Sequence, residues 1–186
     1  MRLVEMGKLD LNAPVRQYLP DFQVADESVA AKTAVRHLLT HSTGWNGDVF
    51  TDTGTNDDAL AIYVKKLAGE EQLAPPDTLF SYNNAAFSVA GLLIETVTGK
   101  IYEAVIKELV FTPLGMERAF FFARDLLTFR FAAGHAVIED TARVQRPWEL
   151  PRAVNPAGGI TCHVKDLLVM PVSAWEMEPQ QMEPAC

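Results

Sequence analysis

Phe80-Ser81-Tyr82-Asn83-Asn84-Ala85-Ala86-Phe87-Ser88-Val89-Ala90-Gly91-Leu92-Leu93-Ile94-Glu95-Thr96-Val97-Thr98-Gly99 is the stretch on which the fold turns. Its opening, Ser81-Tyr82-Asn83-Asn84, reads as a turn. From Ala85 to Thr98 the residues are apolar almost all round, and a helix without a polar face has to be buried on most sides. Ala85, Ala86, Ala90 and Gly91 allow a neighbour to approach closely, and Gly99 ends the helix. The expectation is a chain built around one central helix whose start carries a Tyr-x-Asn element.

The flanks supply packing partners. Leu60, Val64, Leu67 and Ala68 fall at i, i+4, i+7 and i+8 on one helical face, with Gly69 as the stop. A further helix is expected from about Tyr102 to Val110, before Pro113-Leu114-Gly115. Thr33 reads as the N-cap of a helix running to about His41, and the Gly, Thr, Asn and Asp of positions 44 to 58 read as a surface loop. Leu3, Val4 and Met6 before Gly7 look like the last turn of a helix, and Pro14 opens a short one reaching Tyr18. Alternation between Phe131 and Ile138, followed by Glu139-Asp140-Thr141-Ala142 and Arg143-Val144, predicts a β-hairpin. Asn155-Pro156-Ala157-Gly158-Gly159 reads as a tight loop, and Asp166-Leu167-Leu168 as a helix start that Pro171 interrupts. Residues 1–168 are taken as one partial domain, and 169–186 as an atypical, disordered tail.

Composition narrows the function classes. With 186 residues, 48% of them hydrophobic, the chain can enclose one ordinary core. Its net charge of -8 and lack of a basic run argue against nucleic-acid binding. No apolar run approaches the roughly 18 residues of a membrane span, and Met1 to Gly7 does not read as a signal peptide, so a soluble protein, cytoplasmic by default, is expected. Cys162 and Cys186 are too few for a disulfide framework and wrongly spaced for a zinc ribbon; no cofactor or metal is expected.

Two local patterns invite chemistry and fail on context. Asp52-Thr53-Gly54 is the aspartic-protease triplet, but it lies in a polar loop with no apolar strand leading into it and reads as a solvated turn. His37 and His41 are four apart, a spacing suited to two metal ligands on one helical face, yet Leu38 stands where a metalloprotease has Glu. The plainer reading has one His bonding backbone within the helix and the other capping its last carbonyls. Tyr82-Asn83-Asn84 alone would be an ordinary structural turn.

Its surroundings change that. Leu3-Val4-Glu5-Met6-Gly7-Lys8-Leu9-Asp10-Leu11, Val35-Arg36-His37-Leu38-Leu39-Thr40-His41-Ser42-Thr43-Gly44, Phe80 to Ala85 with Thr98-Gly99-Lys100, and Pro113-Leu114-Gly115-Met116 resemble, in the same order, successive segments of the β-lactamase-related serine hydrolases. These include class C β-lactamases, D-alanyl-D-alanine carboxypeptidases and family VIII esterases. Asn155 to Gly159 is similar to that family's Ala-Gly-Gly loop.

The resemblance implies a mostly α chain, the helical domain of the β-lactamase/transpeptidase-like α+β fold, with one β-hairpin and most of the antiparallel sheet missing. It implies acyl transfer on a small-molecule ester, amide or β-lactam carbonyl, with a Ser activated by a Lys one helical turn later. Tyr82 matches the residue that exchanges a proton with the Ser and the leaving group; Asn84 matches the one that holds the substrate carbonyl and the Lys. The Ser-x-x-Lys element itself falls upstream of Met1, and the Lys-Thr-Gly element beyond Leu168. None of Ser28, Ser42, Ser81, Ser88 and Ser173 has a Lys three residues on, no G-x-S-x-G elbow occurs, and Thr98-Gly99-Lys100 is a helix stop in reversed order. The expectation is an internal piece of a serine hydrolase, inactive alone and either marginal, oligomeric through exposed apolar faces or helped by a partner. The alternative is a naturally truncated remnant that only binds.

Overall fold

The structure, a computed structural model, describes residues 1–147 and 149–177. Among them the α-helices are α1 (Arg2–Glu5), α2 (Glu27–Lys32), α3 (Val35–Leu39), α4 (Ala59–Lys66), α5 (Asn84–Thr98), α6 (Tyr102–Ile106), α7 (Ala123–Leu126), α8 (Asn155–Gly158) and α9 (Val164–Met177). Four short strands accompany them: β1 (Ala119–Phe120), β2 (His135–Ile138), β3 (Thr141–Val144) and β4 (Thr161–Cys162). Helix outweighs strand, and the strands form two separate antiparallel pairs, β1 with β4 and β2 with β3. The sequence reading allowed for one hairpin; the β1–β4 ladder, two residues long on each side, is too short to leave a visible alternation.

Helix α5 is the hub, touching α3, α4, α6 and α8. Ala85, Val89 and Leu93, spaced by four, are buried together with Leu38, Tyr63 and Leu67 from its neighbours. Each large apolar side chain so enclosed contributes about 1.5–3 kcal/mol. Gly91 has Pro156 of α8 pressed against the place a Cβ would take, which explains the small residue. The helix is covered on most sides, as its composition suggested, with Phe87, Ala90, Leu92, Ile94 and Val97 half-buried. Gly99 closes it in the left-handed conformation, φ 67°, as expected.

Several expectations shift. Thr33 does not open α3; it follows α2, a helix absent from the sequence reading, and its hydroxyl donates back to the Val29 carbonyl at 2.8 Å. Asp26 caps α2 through the Ser28 and Val29 amides, and with six residues the helix is too short to show a periodic stripe. The segment read as a surface loop, positions 44 to 58, starts inside the core: Gly44, Trp45 and Gly47 are buried. The hairpin turn is two residues, Glu139-Asp140, both with positive φ (50° and 57°), the backbone that matches strand twist in tight hairpins. Asn155 to Gly158 forms a helical turn rather than an irregular loop.

Pro171 does not interrupt α9, which runs through it to Met177. A proline inside a helix removes one backbone hydrogen bond and crowds one carbonyl, and six or seven residues on either side hold the remaining bonds. The rest of the expected tail, positions 178–186, lies outside the described residues. No helix among those described is long and apolar enough to cross a membrane.

A polar network, buried at Glu103 and Asn155 and open to solvent at Asp57, joins distant parts of the chain. Arg152 donates to both oxygens of Glu103 (3.1 and 3.2 Å) and to Asp57 (2.8 Å), and Asn155 donates to Glu103 at 2.8 Å. Ser88 of α5 donates to the Ala153 carbonyl. These bonds seat the Arg152–Gly158 segment against α5 and α6.

Candidate active site at the start of the central helix

Asn83 is the N-cap of α5 and explains why the helix starts here. Its backbone is extended (φ -142°, ψ 101°), and its Oδ1 accepts the Ala86 amide at 2.7 Å. The same side chain is fully buried, with Nδ2 donating to the Thr43 hydroxyl and the Trp45 carbonyl, both at 3.0 Å. Gly47 has to be glycine: an added Cβ would meet the Asn83 Cγ at 2.7 Å. Because Asn83 enters the core, its two neighbours stay near the surface. Tyr82 is 61% exposed, and Asn84, the first helical residue, is half-buried with a long 3.5 Å contact from Nδ2 to Asp48.

The four tyrosines have different environments. Burial pushes the Tyr63 and Tyr102 hydroxyls up to about 12, aided by the nearby Glu70 and Glu103 carboxylates respectively, so neither is suited to lose a proton near neutrality. Tyr18 accepts the Asp10 amide. Tyr82 is the exposed phenol among the four, one residue before the N-cap of α5.

His37 and His41 do not form a pair. His37 Nδ1 accepts the Ala34 amide (3.0 Å), while Nε2 lies 2.9 Å from Asp77. His41 has left the helix, with φ 55°, and packs against Tyr82. The expectation that the second histidine caps the helix end is therefore corrected: it accepts an amide from Asn83 instead. Among the described residues no His, Cys, Asp or Glu cluster could hold a metal.

Ser42, Asp77 and His37 resemble a triad in composition, but not in order. The carboxylate stands between the other two: Ser42 donates to Asp77 Oδ1 at 3.0 Å and His37 sits on Oδ2, so no imidazole can take the serine proton. Asp77 also receives Arg36 at 2.8 and 3.3 Å, and the Arg36 guanidinium, with Ser42 and His37, holds its carboxyl down to about 2. Such an acid is a strut between α3 and the turn leading to Tyr82. Asp52 accepts the Gly54 amide within its own exposed turn, as read from the sequence.

Asn83, His41 and Asp77 are thus the residues that hold this site without having been singled out for it. Asn83 alone had a local signal, since Asn just before an apolar helix is a preferred N-cap.

A sequence model of the Beta-lactamase family matches residues 1–178. The chain belongs to that family. Penicillin-binding protein 4 of Amycolatopsis lactamdurans is 35% identical over 170 residues, covering 90% of this chain and 45% of that protein. Esterase EstB of Burkholderia gladioli is 34% identical over 131 residues, 62% of this chain and 33% of the esterase. The octameric penicillin-binding protein homologue from Pyrococcus abyssi superimposes with a TM-score of 0.74 at 27% identity, over 96% of this chain and 42% of that one. The chain therefore spans less than half the length of these relatives, and what it shares with them is a β-lactamase-related serine hydrolase fragment.

Proposed function

We propose that this chain supplies the Tyr-x-Asn half of an acyl-transfer site acting on ester, amide or β-lactam carbonyls through an acyl-enzyme. The observation that carries the reading is the start of α5: buried Asn83 anchors the turn and leaves Tyr82 open to solvent beside Asn84. In this role Tyr82 passes a proton between the nucleophile and the leaving group, and Asn84 donates its side-chain amide to the substrate carbonyl.

The nucleophile comes from outside this sequence. Ser28 donates to the capping Asp26, Ser42 to Asp77, and buried Ser88 to a carbonyl; none of the five serines has a Lys three residues on. The chain by itself is accordingly inactive, and the helix-rich piece described here corresponds to the helical part of a larger α+β fold whose main sheet is completed by other segments. Apolar side chains left open on β2, β3 and α9, among them Val137, Ile138, Val144, Leu167 and Leu168, support association with a second copy or with those segments.

Nitrocefin and a p-nitrophenyl ester test the reading. The chain alone is expected to give no turnover above buffer; turnover that disappears in Tyr82→Phe would refute its inactivity. In the longest in-frame product of the gene, Tyr82→Phe is expected to lower kcat by about 10²–10⁴-fold, and an unchanged kcat would refute the role of Tyr82.

A further inference from the structure

Three contacts from one residue converge on the tripeptide Ser81-Tyr82-Asn83. The His41 carbonyl accepts the Ser81 amide at 2.9 Å. Its ring nitrogen Nδ1 accepts the Asn83 amide, also at 2.9 Å. Its imidazole stacks on the Tyr82 ring, centroids 4.4 Å apart and planes 22° from parallel. The amides on both sides of Tyr82 and the phenol ring itself are therefore held by His41, a residue some forty positions earlier in the chain.

The imidazole is itself fixed. Phe80 meets it edge-on at 5.4 Å and 75°, and Phe87, one turn into α5, lies at 5.2 Å. His41 has a left-handed backbone, φ 55°, and both its carbonyl and its ring nitrogen meet the same segment, residues 81–83. A nitrogen that accepts an amide proton carries none, so the arrangement demands the tautomer protonated at Nε2.

We infer that His41 is the positioning residue of this site: as the neutral Nε2–H tautomer it clamps the backbone around Tyr82 and provides the plate that orients the phenol. The inference rests on the reading of Tyr82 as the proton-exchanging group. Stacking restricts the ring of a side chain that is otherwise open to solvent, and misplacement of a catalytic group by about 1 Å can cost on the order of 10²-fold in rate.

Nuclear magnetic resonance on this chain tests it directly. Long-range ¹H–¹⁵N correlation of the imidazoles is expected to show His41 with Nδ1 bare and Nε2 protonated, and Tyr82 ring protons shifted upfield by the stacked ring. Two substitutions divide the clamp. In His41→Asn, Oδ1 takes the place of Nδ1 and Asn tolerates the left-handed backbone, so the Asn83 amide keeps its acceptor while Tyr82 loses its plate and its upfield shift. In His41→Phe the ring and the shift remain, and the Asn83 amide exchanges about fivefold faster than in His41→Asn, the consequence of one lost hydrogen bond.

A dominant Nδ1–H tautomer in the unsubstituted chain, or Tyr82 ring shifts equal to those of a free tyrosine, would overturn the inference. Both are read without any substitution, so a variant that fails to fold does not remove the test. Neither readout involves substrate, so the result is independent of whether Tyr82 proves to act in hydrolysis.

Discussion

Removing the Asn83 side chain is the perturbation that bears most directly on how the site is built. In Asn83→Ala, α5 loses its cap, worth about 1 kcal/mol. The Trp45 carbonyl and the Thr43 hydroxyl, both inside the core, lose their donor, and an unsatisfied buried acceptor costs about 1–3 kcal/mol. The sum is about 3–7 kcal/mol, a large share of the 5–15 kcal/mol that typically holds a domain folded. At about 2–4 °C per kcal/mol for a chain of this size, the melting temperature falls by roughly 6–28 °C. Urea melts followed by circular dichroism give the free energy, with the midpoint moving and the slope unchanged. Asn84→Ala is the control: one long contact to exposed Asp48 is lost, and the cost stays below about 1 kcal/mol. Asn83→Asp keeps the capping oxygen but turns a second oxygen toward the Trp45 carbonyl, so its deficit is expected to shrink on acidification, as the carboxyl gains a proton it can donate. A cost for Asn83→Ala no greater than that of Asn84→Ala would refute the claim that Asn83 anchors the turn.

Two further outcomes follow from the same geometry. Asp77 is held well below its ordinary carboxyl value of 3.8, to about 2, so its charge stabilises the fold above pH 4 and that contribution disappears as pH falls through 2. Asp77→Asn should therefore melt earlier than the unsubstituted chain at pH 6 and alongside it near pH 2, with high salt narrowing the gap; a gap that does not change with pH would contradict the assignment. Gly91→Ala should destabilise despite the better helix propensity of Ala, by about 1–3 kcal/mol, because the new Cβ meets Pro156 and comes within 3.3 Å of Leu60. Gly69→Ala, with nothing within 4 Å of the added atom, should instead gain about 0.4–1 kcal/mol; the opposite order in urea melts would refute the packing described between α5 and α8.

What the sequence disclosed depended on range. Helices α4 and α5 were visible because their apolar spacing is local, and Gly99 adopts the left-handed backbone that its position after Thr98 required; α4 itself ends at Lys66, and Gly69 lies in the 3-10 turn that follows instead of stopping the helix. Helix α2 escaped because six residues carry too little periodicity, and Thr33 was assigned to the wrong helix as a result. Tyr82 and Asn84 stand out as candidates only through the order of segments around them. His41 and Asp77 were not, since their roles depend on pairings 35 to 42 residues apart, between the α3 end and the turn before α5. A histidine spaced four residues from another looks like a metal ligand until the chain between them bends out of the helix.

On the proposed reading, those pairings also determine which part of the acyl-transfer chemistry this chain would carry. Among the described residues, the groups that hold the turn carrying Tyr82 are the core carbonyl and hydroxyl that seat Asn83, the His41 ring against the phenol, and the Arg36–Asp77 pair that ties α3 to the approaching turn. The turn and the phenol ring are therefore held by interactions buried or stacked locally, whereas the Asn84 carboxamide keeps only its long contact to Asp48. If the proposed role of Tyr82 holds, a serine and a lysine brought by another segment would meet a phenol already in place, and the ordering cost that a flexible loop would add to the transition state would be met in folding the helical core.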